Sequence, residues 1–147
     1  MSSRQLLRPE SKLQRGAAAV EFALVAPLLL LLILGMIDWG WHMFVSQVMT
    51  NAAREGARAG SLWPDDPDQA IADAQQTTIN YINSAGLSSG VADIQPSLVA
   101  SGVGNGVQVS VQYPTGSLTG FLNFSFFGRS GNLIPDFAWA QVEMRRN

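Results

Sequence analysis

The sequence has no cysteine and a single histidine, His42. Without cysteine there is no disulfide framework, no thiolate metal site and no cysteine nucleophile. The redox compartment stays open, because an exported domain with a sufficient core can do without disulfides. There is no P-loop or zinc-ligand spacing, and no repeat of fixed period. His42 sits among Trp41, Met43 and Phe44, a setting that suits a structural role better than a catalytic one. The expectation is therefore a protein that is not an enzyme and needs no cofactor or metal. Charge is also sparse, with 9 Lys and Arg against 11 Asp and Glu. The mean hides an uneven distribution: Arg4, Arg8, Lys12 and Arg15 against Glu10 make the start basic, and the remainder is acidic. That basic arm abuts an apolar run and lacks clustered aromatics or a binding motif. It reads as a membrane-orientation signal, with no nucleic acid as partner.

The chain does have a long apolar run, AAAVEFALVAPLLLLLILGMI, from Ala17 to Ile37. Its only charge is Glu21 and its only proline is Pro27. About 20 such residues, rising 1.5 Å each, match a hydrocarbon core of about 30 Å. The LLLLLIL stretch is apolar on every side and lacks the polar face of a soluble-domain helix. Trp39, Trp41 and Phe44 come next, where amphipathic aromatics occupy the membrane–water boundary. Basic residues precede the run, whereas Asp38 succeeds it and no Lys or Arg comes before Arg54. The positive-inside rule puts the N-terminus in the cytoplasm and residues beyond about 40 outside. A cleaved signal peptide needs small residues just after its core, and the nearest such site, Ala57-Arg58-Ala59, lies too far along. The segment is expected to remain as a single span, with membrane lipid as its first partner.

Three positions in and before this run ask for explanation. Gly16 lacks a Cβ, so a protease can approach the backbone there and hold it extended; the plain alternative is that it starts the helix. Glu21 puts a costly charge in the span near its cytoplasmic edge, where it either snorkels to the interface or pairs. Pro27 removes a helical hydrogen bond, which either shapes a packing seam or is a tolerated kink.

The stretch RGAAAVEFALVAP, beginning at Arg15, resembles the start of TadE-like pseudopilins of the tight-adherence pilus. The resemblance implies a leader ending at Gly16, a mature N-terminus at Ala17 and Glu21 as the fifth mature residue. Phe22 is similar to the second member of that family's Glu-Tyr or Glu-Phe pair. Pro27 and NAAREGARAG, starting at Asn51, also look like the family's pattern, which is specific over residues 15–60 and looser beyond. The resemblance further implies a substrate of prepilin peptidase, cut at the cytoplasmic face of the inner membrane. The new ammonium at Ala17 would lie one helical turn from Glu21 and pair with it, on its own chain or a neighbour's. The implied role is a minor pseudopilin acting in pilus assembly and surface adhesion. Its partners would be other pilins or pseudopilins and the assembly platform. Major subunits of the family are much shorter, so the added domain favours a minor part. Two alternatives stay open: an uncleaved, single-pass anchor presenting a binding domain, and a minor pseudopilin of type II secretion. The first does not explain Gly16 and Glu21 in register, and the second fits the Glu-Phe pair and AAREGAR less well.

Beyond the span, Ile37, Trp41, Phe44, Val48 and Ala52 recur at helical spacing. One helix is predicted from about Arg15 to about Ala59, ended by Gly60 and Trp63-Pro64. Glu55 and Arg58 lie three apart and can pair on its surface. Together with Arg54 they form either a solvated face or a contact to the domain or an adjacent subunit. Asp65-Asp66-Pro67-Asp68 is a capping sequence for a second helix from about Pro67 to Ala85, stopped by Gly86, with Ile71, Ala74, Thr78 and Ile82 buried. The same acids do not fit a calcium loop, because no register supplies both its Gly and its Glu. The rest of the chain reads as strands: a short edge strand from Ile94 to Val99 containing Pro96, a hairpin turn from Gly102 to Gly106, and a strand in which Val107, Val109, Val111 and Tyr113 alternate with Gln108, Ser110 and Gln112. The segment from Leu118 to Phe127, rich in phenylalanine, reads as core, as a lid or as an exposed partner patch. A last strand is expected from Asp136 to Met144. The fold class is α+β and pilin-like, divided into a leader (1–16), a transmembrane and extended helix (17–60) and an exported domain (61–147). So small a helix and sheet need the long helix to complete a core.

Overall fold

The structure, a computed structural model, describes residues 10–101, 104–120, 123–126, 129–132 and 135–145. Helix α1 spans Glu10–Ser61, 52 residues and so about 78 Å long. It begins a turn and a half before the expected start. The residues ahead of the apolar run are good helix formers, so nothing interrupts the helix at Arg15. Pro27 lies inside it. The helix ends where the Leu62 and Trp63 amides close a tight turn on the carbonyls of Ala59 and Gly60.

Helix α2 spans Pro67–Ser84, with Asp66 as its N-cap, accepting from the Gln69 amide at 3.0 Å. Gly86 comes after it in the left-handed region at φ 81°, the conformation that stops a helix and favours glycine. The buried residues of α2 are Ala70, Ala74, Thr78 and Ile82. Ala70 therefore stands where Ile71 was expected, and Ile71 is only half-buried. The reason is the tightness of the crossing with α1. A Cβ on Gly60 would meet the Ala70 carbonyl at 2.7 Å, and one on Gly56 would meet the Ala74 carbonyl at 2.8 Å. Only small residues fit such a seam, and a bulky isoleucine is turned aside.

After a short 3-10 turn, Ser89–Val91, come β1 (Asp93–Ser101) and β2 (Gly104–Pro114). A four-residue pair is next, β3 (Asn123–Phe126) and β4 (Arg129–Asn132), and then β5 (Phe137–Arg145). The main sheet is antiparallel in the order β1-β2-β5, and β3 with β4 forms a separate antiparallel hairpin. Pro96 lies on the edge strand, as its missing N–H requires. The turn between β1 and β2 is shorter than expected: Ser101 already pairs with Gly104, so Gly104, Asn105 and Gly106 belong to the strand. Positions 102 and 103 lie outside the described residues, as do the side chains of the phenylalanine-rich segment from 121 onward.

The core sits between this sheet and the two helices. Val107, Val109, Val111 and Tyr113 of β2 and Ala138 and Ala140 of β5 are buried against Val45, Val48, Met49, Ala52, Ala53 and Ala57 of α1 and Ala70, Ala74 and Ile82 of α2. The second half of α1 is thus one wall of the domain, giving the α+β arrangement of a long N-terminal helix, a second helix and a small antiparallel sheet.

Candidate functional site

Residues 17–37 of α1 project from this domain without cover. The apolar window is entirely unburied, and the helix that carries it is long and apolar enough to cross a membrane. Gly16 and Ala17 are exposed. They lie within the helix, so extended backbone at this bond requires local unwinding. Glu21 is exposed, and Phe22, one residue on, is 71% exposed. The two occupy different sides of the helix, since adjacent positions do not share a face. Pro27 is also exposed. Because the freed carbonyl one turn earlier has no helical donor, a neighbouring group or water must satisfy it.

The first buried residue of the described helix is Asp38, one residue past the apolar run, although Trp39, Met43 and Phe44 beyond it stay exposed on other sides. Its carboxylate accepts from the Ser117 hydroxyl at 2.5 Å, the Thr119 hydroxyl at 2.7 Å and the Thr119 amide at 2.7 Å. Burial pushes this carboxyl up. The hydroxyls of Ser117 and Thr119 and the backbone amides of Thr119 and Leu118 outweigh burial and hold it below the ordinary carboxylate range. One turn further, His42 Nδ1 lies 3.2 Å from Thr115 Oγ1. The Thr115 hydroxyl donates to the Pro135 carbonyl at 2.9 Å. Its single proton is therefore committed, and the histidine donates from Nδ1. The Thr115 amide in turn donates to the Asp136 carbonyl at 2.9 Å. Asp38 and His42 thus clasp the loop 115–120, and the start of the last strand, onto α1 beside the apolar run. From sequence alone Asp38 reads only as an orientation signal. The available hint was an acid directly after an apolar run combined with a remote hydroxyl-rich loop, PTGSLTG.

The third set of residues lies higher on α1. Arg58 Nε donates to Glu55 Oε2 at 3.0 Å, an exposed ion pair three residues apart. Arg54 is exposed at the upper end of an open groove of about 540 Å³, which Trp39, His42, Met43, Gln47 and Thr50 also line. The structure thus keeps Arg54, Glu55 and Arg58 on the outer side of α1. The small residues beside and between them, Ala53, Gly56 and Ala57, turn inward. Gly16, Ala17, Glu21, Phe22 and Pro27 share one helix with them but are far below, and the fold does not bring the two sets together. Among the described residues, no cluster of His, Cys, Asp or Glu could hold a metal ion.

No curated protein and no solved structure matches the chain. Residues 16–58 match the family described as TadE-like protein. That stretch begins at Gly16 and ends at Arg58, enclosing Glu21, Phe22, Pro27 and Gly56 of the small-residue seam, and over it the chain is similar to TadE-like proteins.

Proposed function

We propose that this protein is a minor pseudopilin of a tight-adherence pilus, processed by prepilin peptidase and acting in pilus assembly and surface adhesion. The observation that carries the reading is the register of Gly16, Ala17 and Glu21 at the head of the apolar run of α1, in which no residue from 17 to 37 is buried. A single apolar helix supports anchoring in the inner membrane, with the basic N-terminus inside and residues 61–147 outside. Cleavage after Gly16 removes the basic leader, residues 1–16, and frees an ammonium at Ala17. Glu21 lies one turn away and is available to that amine on its own chain or a neighbour's. Partner pilins or pseudopilins then pack along the exposed helix, with Phe22 and Pro27 in the seam. Arg54 and the groove beneath it, with the Glu55–Arg58 pair alongside, offer further contact above the membrane. The chain acts as substrate and structural part and not as an enzyme.

An uncleaved anchor presenting a binding domain is the second reading, and one observation favours it: α1 runs unbroken through Gly16. The N-terminal mass of the protein from its own cells decides between them. Processing predicts a terminus at Ala17 that disappears on Gly16 substitution. A terminus at Met1 or Ser2 in functional, assembled protein would sink the processing reading and leave the anchored domain.

A further inference from the structure

The outer face of the main sheet has a chemistry unlike the rest of the molecule. Side chains alternate along a strand, so the strand that buries Val107, Val109 and Val111 turns Gln108, Ser110 and Gln112 away from the core. Cross-strand register builds these into rows. Gln112 pairs with Asp93 on one side and with Trp139 on the other, and the next row is Gln95, Ser110 and Gln141. Trp139 is 72% exposed. An indole is costly to leave in water and is usually largely buried. Here no hydrogen bond or ring contact engages it among the described residues. Gln95 Nε2 donates to Asp93 Oδ1 at 2.7 Å, which orients the carboxylate at the far end of the row. Between them lies a shallow cavity of about 280 Å³ lined by Asp93, Gln95, Ser110, Gln112 and Trp139.

The composition of this patch selects among ligands. Its two rows contain three amides, one hydroxyl, one carboxylate and one indole, and no cation. Phosphate-bearing partners and anionic surfaces would meet an acid and no counter-charge. The centre of a protein interface is depleted in charge and built from apolar and aromatic groups, whereas these two rows hold one indole among polar groups, with the half-exposed Phe137 at the next outward position of β5 as a second aromatic surface. A sugar ring matches both features. Its C–H face is apolar and flat enough to stack on an indole, and its rim of hydroxyls both donates and accepts. Glutamine amides and a carboxylate in a row are suited to that rim. The row crosses two strand spacings of about 4.8 Å each, about the span of two joined rings.

We propose that the row Asp93–Gln112–Trp139 binds a neutral oligosaccharide, with the indole as stacking platform and Gln112 and Asp93 holding ring hydroxyls. This deepens the adhesion part of the proposed function and rests on the domain lying outside the cell. The test uses the full chain in nanodiscs with nitrogen-labelled indoles, titrated with cellohexaose, chitohexaose, maltohexaose and mannohexaose. Trp39, Trp41 and Trp63 serve as internal controls, and Trp139→Phe assigns the signal. At least one sugar should shift the Trp139 indole resonance saturably, with Kd of about 1 mM or tighter, while the controls stay still. Gln112→Ala, on an exposed position that leaves the core intact, should weaken that binding about tenfold, or 1.4 kcal/mol. Silence at Trp139 for all four sugars up to about 10 mM, equal shifts at the control indoles, or unchanged affinity in Gln112→Ala would overturn the assignment. None of these readings depends on cleavage at Gly16, so the two proposals fail separately.

Discussion

A carboxylate sealed from water is tolerable only if its lone pairs are met, and Asp38 meets them with donors from 79 and 81 positions away in sequence. Removing the acid leaves two hydroxyls and an amide without their acceptor. Asp38→Ala should therefore lower stability by about 1–3 kcal/mol, read as a fall in thermal midpoint in detergent. Protease cleavage within loop 115–120 should rise with it. Protonation should act in the same direction. Because the hydrogen bonds lower the folded-state pKa, the contribution of Asp38 is complete above the unfolded-state value of about 3.9 and is lost as pH falls through and below it. Stability measured from pH 7 down to about 3 should fall more steeply in the parent than in Asp38→Asn, whose side chain does not titrate. Equal slopes would remove the clasp from the pH response. Nothing local announces this clasp. An aspartate after a membrane run has a sufficient local meaning as an orientation signal, and its partners are set by topology.

At the scale of elements, the crossing of α1 with α2 shows what small residues do. Ala is the better helix former than Gly by about 1 kcal/mol, so Gly56→Ala on an open helix would stabilise. Here the added methyl would sit 2.8 Å from the Ala74 carbonyl and against the Thr78 side chain, both on the facing helix. Overpacking of this kind costs about 1–3 kcal/mol, which exceeds the propensity gain. Gly56→Ala should lower the unfolding midpoint, whereas Gly40→Ala, with nothing near its added atom, should leave it unchanged or raise it. A rise for both would mean that the helices separate more easily than the seam suggests. The existence of each main element was legible because its signals were local. The Asp66 cap and Gly86 stop mark α2, and strict alternation from Val107 to Tyr113 marks β2. Which residue of α2 turned inward was not legible. Ala70 replaces Ile71 because a helix approaching Gly60 so closely admits no branched side chain, and that constraint belongs to the pair of helices.

For the whole molecule, the decisive division is between an upper half of α1 that the domain covers and a lower half that it leaves bare. Val45, Met49 and Ala53 belong to the core, whereas none of residues 17–37 does. The apolar run foretold this division because a helix apolar on all sides can be covered only by lipid or by other such helices. Within that bare half, Glu21 is the one charge. Snorkelling to the cytoplasmic boundary needs only a polar group near that boundary, while pairing with the Ala17 ammonium needs a negative one. Glu21→Gln separates the two, since it keeps length and hydrogen bonding and removes charge. Pairing predicts that the variant is inserted and cut at Gly16 as usual but recovers in sheared pilus material or partner complexes at least about tenfold less, the effect of losing about 1.4 kcal/mol per contact. The measurement is quantitative mass spectrometry of Ala17-terminated peptide in membrane and sheared fractions. Normal recovery of Glu21→Gln beside its parent would leave snorkelling as the sufficient role for Glu21, and would move the determinant of register to Phe22 and Pro27 in the same bare segment.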